Sequence, residues 1–144
     1  VATEHGHASL LPMLLEARCD PQTAGRDGEP LILMAAGLQT TDSLHALLEA
    51  RCDPKIATKG GDTPVLRAAS NGHVGALKLL VEANCDPRIA DEHGNTAIIT
   101  AACKGHADAL QFLSEARGDP NVTNKSGGSA VISAVANEHV GVLE

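Results

Sequence analysis

Three cysteines recur at one interval: Cys19, Cys52 and Cys85 stand 33 residues apart, and Cys103 falls in a different column. Four histidines, His7, His73, His106 and His139, keep the same grid. Thiols and imidazoles in rows suggest a metal ladder, a disulfide or a pH sensor. Each needs its side chains to meet. Zinc requires thiolates about 2.3 Å from a single ion, and a disulfide requires Cα atoms within about 7 Å. Residues repeated once per helical unit are separated by about one helix-packing distance, ~10 Å. The cysteine column is therefore expected to supply small buried fillers, and the histidines to bond turn backbone beside a glycine. Neither a metal nor a cofactor is expected.

Charged columns invite a similar question. Glu16, Glu49, Glu82 and Glu115 run beside Arg18, Arg51 and Arg117, and each arginine lies two residues from an aspartate, Asp20, Asp53 or Asp119. An anion-binding arginine row is conceivable. Mutual neutralisation at a solvated edge is the plainer expectation, with the aspartates bonding turn backbone. Catalytic patterns are missing: the sequence contains no Gly-x-Ser-x-Gly, phosphate loop or metalloprotease helix motif. Enzymatic activity is not expected of these residues.

The grid itself says what must position these side chains. Ala17-Arg18-Cys19-Asp20-Pro21 returns as 50–54, as Ala83-Asn84-Cys85-Asp86-Pro87 and as Ala116-Arg117-Gly118-Asp119-Pro120, without insertion or deletion. A period of this size marks a solenoid, whose units bury their apolar faces only against neighbours. Leu11, Leu44, Leu77, Leu110 and Leu143 form one column, and Leu14, Leu47, Leu80 and Leu113 another, three residues on. That spacing is one face of a helix. A second apolar block (Ile32-Leu33, Val65-Leu66, Ile98-Ile99, Val131-Ile132) precedes an alanine column at Ala35, Ala68, Ala101 and Ala134. Each unit thus reads as two short antiparallel helices. Thr63-Pro64 starts the first, and Thr96 and Ser129 can cap in the same column, while Pro30 shifts the pattern in its copy. Gly72 and Gly105 reverse the chain, and Pro21, Pro54, Pro87 and Pro120 close the second helix. A polar turn with Gly28, Gly61, Gly94 or Gly127 leads to the next unit.

Composition narrows the function. Phe112 is the only aromatic residue among 144, so the core must come from aliphatic side chains. A formal charge of −7 with no basic run argues against nucleic acid. No apolar stretch reaches the roughly 18 residues that span a bilayer, so no membrane insertion is expected. Thiols kept as thiols suggest an intracellular, reducing compartment, with the cytoplasm first and a missing targeting segment allowed for.

The copy Gly61-Asp62-Thr63-Pro64-Val65-Leu66-Arg67-Ala68-Ala69-Ser70-Asn71-Gly72-His73, continuing through Leu79-Leu80-Val81-Glu82-Ala83 to Asp86, resembles the ankyrin repeat family. The resemblance covers the whole chain and implies an all-α solenoid of stacked antiparallel helix pairs joined by long turns. Residues 1–144 read as one such domain, with copies at 1–20 (partial), 21–53, 54–86, 87–119 and 120–144 (partial). Because the chain starts and stops inside repeats, it is expected to be a piece of a longer array, covered at both ends by more repeats or a partner. Two departures from the pattern stand out. The histidine after Thr-Pro-Leu is replaced by Leu33, Leu66, Ile99 and Ile132, which implies a drier seam. The glycine ending the second helix is replaced by Arg18, Arg51, Asn84 and Arg117, at roughly 1 kcal/mol for each non-glycine residue held left-handed. Pro12 should delay or bend a helix.

The resemblance also implies a non-catalytic scaffold that binds a protein partner through a concave strip of turn tips and first-helix ends. Carried over by register, the tips are Arg26, Asp27 and Glu29; Lys59, Gly60 and Asp62; Glu92, His93 and Asn95; and Lys125 and Ser126. The helix positions are Leu38, Ser70, Asn71, Cys103, Lys104 and Asn137. These residues vary between copies while the core columns repeat, although solvent would tolerate such variation too. Hot spots favour Trp, Tyr and Arg, so a partner must bring its own aromatic anchors. A structural segment packed within a large assembly, or a regulatory or targeting arm of a larger enzyme, are the alternatives.

Overall fold

The computed structural model describes residues 28–137; Arg26 and Asp27, and with them His7, Pro12, Arg18, Cys19 and His139, lie outside the described residues. The described chain runs through α1 (Leu31–Ala36), α2 (Asp42–Glu49), α3 (Pro64–Ser70), α4 (Val74–Glu82), α5 (Ala97–Lys104), α6 (Ala107–Glu115) and α7 (Ala130–Ala136). The odd-numbered helices form one layer, α1 on α3 on α5 on α7, and the even-numbered ones pack alongside as a second layer. Six to nine residues make helices too short to persist alone in water, so stacking must hold them.

The leucine columns supply that stacking. Leu44, Leu47, Leu77, Leu80 and Leu113 are fully buried, each contributing about 1.5–3 kcal/mol of transfer free energy. Ala35, Ala68, Ala101 and Ala134 are all at 0% exposure, and their small side chains let first helices approach closely. Leu33, Leu66 and Ile99, standing where the family carries histidine, are buried as expected.

Helix ends follow the punctuation with one exception. Thr63 Oγ1 accepts from the Leu66 amide at 3.2 Å, and Ser129 caps Ile132 in the same way. Thr96 has the extended backbone of a cap, yet its hydroxyl makes no capping bond and is buried without a partner. That turn is held through its carbonyl, which accepts from both the amide and the hydroxyl of Thr100. The second-helix ends keep the left-handed conformation without glycine: φ is 61° at Arg51, 61° at Asn84 and 73° at Arg117.

The thiol column behaves as filler. Cys52 and Cys85 are buried, and the Cys85 thiol donates to the Pro54 carbonyl at 3.3 Å. Burial, partly opposed by Lys55, pushes the Cys85 thiol up to about 11. In the fourth copy Gly118 replaces the thiol, and its amide reaches Leu113 O at 2.8 Å. A cavity of about 160 Å³ opens beside it, lined by Pro87, Thr96, Ile98 and Val122 among others.

Candidate protein-binding strip

The three long turns that are described in full are built the same way, from a side chain that the repeat columns did not single out. Thr58, Asp91 and Asn124 open the three described turns. Their amides bond to Asp62 O, Asn95 O and Gly128 O, and their carbonyls accept from Gly61, Gly94 and Gly127. The side chains then hold the tip from inside. Thr58 Oγ1 accepts from the Asp62 amide, Asp91 Oδ1 from His93 and Asn95, and Asn124 Oδ1 from Ser126 and Gly128. Burial works against the Asp91 carboxylate, but the bonds from the Asn95 side chain and backbone and from the His93 backbone hold it below the ordinary range. A polar residue three before a glycine, repeated on the 33-residue grid, was the available signal.

Neighbouring tips are tied to each other. The Glu92 amide donates to Gly60 O at 3.0 Å, and the Lys125 amide donates to His93 O at 2.9 Å. Asn124 Nδ2 donates to Asn95 Oδ1 at 2.8 Å. The successive tips therefore form one edge with a fixed offset. Gly61 and Gly94 sit at φ 79° and 83° where the edges touch; a Cβ on Gly61 would stand 2.9 Å from the backbone of Asp91.

The expected contact residues divide into two groups on this frame. Lys59, Asn71, Glu92, His93, Cys103, Lys104, Lys125, Ser126 and Asn137 are exposed. Leu38, Ser70, Glu29, Asp62 and Asn95 are half-buried. Glu29 and Asp62 are both engaged by Arg67, whose Nη2 lies 2.6 Å from each, while Asn95 bonds to Asp91 and Asn124. Those three hold the edge in place. Asn137 Nδ2 lies 3.7 Å from Cys103 Sγ, which puts two first-helix positions side by side. The Glu92 carboxylate lies 3.5 Å from His93 Nε2.

Three expectations change with the geometry. The seam is not dry: besides the tip bonds, His106 Nε2 lies 3.0 Å from Ser70 O in the preceding unit, reaching across the stack where a bond to its own turn was expected. The His73 ring, in the same column, has its Nδ1 buried without a partner. Among the described residues no ion pair joins Arg51 to Asp53 or Arg117 to Asp119. Asp86, whose column neighbour is Asn84, pairs with Arg88 at 2.9 Å, because the same carboxylate already accepts the Arg88 amide and the side chain follows. The Arg88 hydrogen bonds hold the Asp86 carboxyl down at about 2, and Arg117 adds only a longer-range pull. Asp53 and Asp119 accept the amides of Lys55 and Asn121, as turn residues do.

Among the described residues no three His, Cys, Asp or Glu side chains group as metal ligands would, and no helix is long and apolar enough to cross a membrane. The model for ankyrin repeats (three copies) matches residues 1–91, 31–125 and 68–144, so the matches together span the chain. No curated protein matches it. Such repeats are generally protein–protein interaction modules and typically non-catalytic. With its stacked helix pairs, long turns and matching family model, the chain belongs to the ankyrin repeat family.

Proposed function

We propose that this chain is a protein-binding scaffold whose partner docks along the edge of turn tips and the adjoining first-helix ends. The observation that supports it most is the tip-to-tip bonding, Glu92 to Gly60 and Lys125 to His93. A surface already locked in register loses little entropy when a partner lands on it, and preorganisation of that kind is what a binding face needs. The exposed side chains it carries are polar, and three lysines (Lys59, Lys104, Lys125) stand against one glutamate, Glu92. The chain as a whole is acidic. This local excess of positive charge favours a partner segment rich in Asp and Glu, with association that weakens as salt rises. Glu29, Asp62 and Asn95 act here as supports for the edge. The domain is one array over residues 1–144, and it works without cofactor or catalysis.

Cys103 offers a native probe, since it is exposed on this strip. Modification of Cys103 by a maleimide should slow at least tenfold when a partner recovered with the chain is bound. An unchanged rate at saturating partner would contradict docking on this strip.

A further inference from the structure

One copy departs from the others at several positions that meet in space. In the preceding copy Cys85 is buried, and its thiol donates to Pro54 O at 3.3 Å. The same column next holds Gly118, which has no side chain to fill the space. Pro87 O is the counterpart of Pro54 O, and among the described residues no hydrogen bond reaches it. A second column shrinks as well, from Ile89 to Val122. Ile98, standing in the column of Val65, returns a single methylene. What remains is the cavity of about 160 Å³, with Pro87, Ile98, Gly118 and Val122 among its walls.

An independent mark lies in the same wall. Thr63 spends its hydroxyl on the Leu66 amide, whereas Thr96, which lines the cavity and is 4% exposed, has an Oγ1 without a partner. Folded proteins rarely leave buried polar atoms unpaired, so a hydroxyl and a carbonyl left over beside one space ask for an occupant. Its size is set by the volume: a dry cavity of about 150 Å³ takes one benzene ring. Its charge is set by the other two lining residues. Arg88 is already paired with Asp86, and Asp119 already accepts the Asn121 amide, so neither calls for a counter-ion.

We infer that this cavity is a binding site for a small neutral molecule, about one aromatic ring in size, with an apolar body and one hydroxyl or thiol. The body rests on Ile98, Val122 and the Pro87 ring. The donor bonds to Pro87 O as the Cys85 thiol bonds to Pro54 O, and its electronegative atom is the acceptor that the Thr96 hydroxyl lacks. None of the lining residues belongs to the binding strip, so occupancy does not depend on the turn edge.

The probe is phenol, titrated into the 144-residue chain while backbone amide shifts are followed by NMR. The amides of Ile98, Gly118 and Val122 should move and saturate. Those of Val65, Cys85 and Ile89, the same positions in the filled copy, should stay still. Fluorobenzene, alike in shape but without the donor, should bind roughly threefold more weakly or worse. Gly118→Cys should abolish the response. A Cβ there would stand 2.6 Å from Leu113 O, so the turn must open from its 2.8 Å amide contact to the 3.0 Å that Cys52 and Cys85 keep. Val122→Ile asks for no such movement and should weaken phenol roughly threefold by narrowing the space. Shifts that never saturate, or that move the Cys85 copy equally, would overturn the inference. So would unchanged phenol affinity in Val122→Ile or in folded Gly118→Cys, and so would equal affinities for phenol and fluorobenzene.

Discussion

Arg67 and Glu29 stand 38 residues apart in sequence, and a 2.6 Å bond from Nη2 to Oε1 ties the turn before α1 to helix α3. The same Nη2 reaches Asp62, also at 2.6 Å, so one guanidinium holds carboxylates from two successive turns. Without it, those two acids would face each other across the seam.

Both partners are about a third exposed, which limits the energy of the contact. Arg67→Gln should lower stability by about 0.5–1 kcal/mol. A double-mutant cycle with Glu29→Gln should return a coupling of similar size, measured by urea unfolding. Coupling indistinguishable from zero would mean that the bond contributes nothing to holding the stack.

Strain at the second-helix ends offers a gain instead of a loss. Arg51 and Arg117 hold φ of 61° and 73°, a conformation that costs a side-chain-bearing residue about 1–2 kcal/mol. Glycine relieves that strain but adds freedom to the unfolded chain, at about 0.5–1 kcal/mol. Arg117→Gly should therefore stabilise by about 0.5–1 kcal/mol, and Asn84→Gly by less, because Asn tolerates the left-handed region. Destabilisation by Arg117→Gly would show that its side chain contributes more than its backbone costs.

The thiols should separate by rate. Cys52 and Cys85 should resist a maleimide in the folded protein and label on unfolding, whereas Cys103 should react from the start. Because the folded Cys85 thiol titrates at about 11, above its ordinary range, its contribution to stability is complete at neutral pH. It is lost as the pH climbs from about 8.5 toward the folded value. Equal labelling of all three cysteines at pH 7 would contradict the filler role.

Asp86 works in the opposite direction. Its carboxyl is held at about 2 by Arg88, below the usual value of about 3.9 for aspartate. The stability it lends is present above about pH 4 and lost as the pH falls toward 2. The pair is largely exposed, so the effect should stay below about 1 kcal/mol. Asp86→Asn should flatten that part of the acid limb, seen as a smaller drop in melting midpoint between pH 4 and pH 2.

The architecture was legible because its signals repeat. Leucine columns three apart, an alanine column and proline after each second helix all say the same thing, so an error in one copy is corrected by the others. What escaped was whatever depends on contact between copies. Arg67 occupies a single copy, and nothing local reveals that Glu29 lies within its reach. His106 looked like a turn residue because its partner, Ser70 O, is backbone, and backbone leaves no trace in residue type. The expected neutralisation gave way at Asp53 and Asp119 because a turn aspartate accepts the backbone amide two positions on, from Lys55 and Asn121, and that bond is not written in the residue type of its partner. In the strip, register located the exposed side chains. It did not separate them from Glu29, Asp62 and Asn95, whose hydrogen bonds turn them inward.

The most direct test of the binding strip compares dissociation constants for a partner recovered with the wild-type chain. Lys59→Glu with Lys125→Glu changes the tip charges, and Lys55→Glu with Lys78→Glu makes the same change in net charge at exposed positions off the strip. With circular dichroism and melting midpoints unchanged, the tip variant should bind more than tenfold more weakly, a loss above about 1.4 kcal/mol. The off-strip variant should stay within about twofold of wild type, which is about 0.4 kcal/mol on the same scale. Equal affinity of the tip variant and the wild type would contradict the assignment of the turn edge as the binding face.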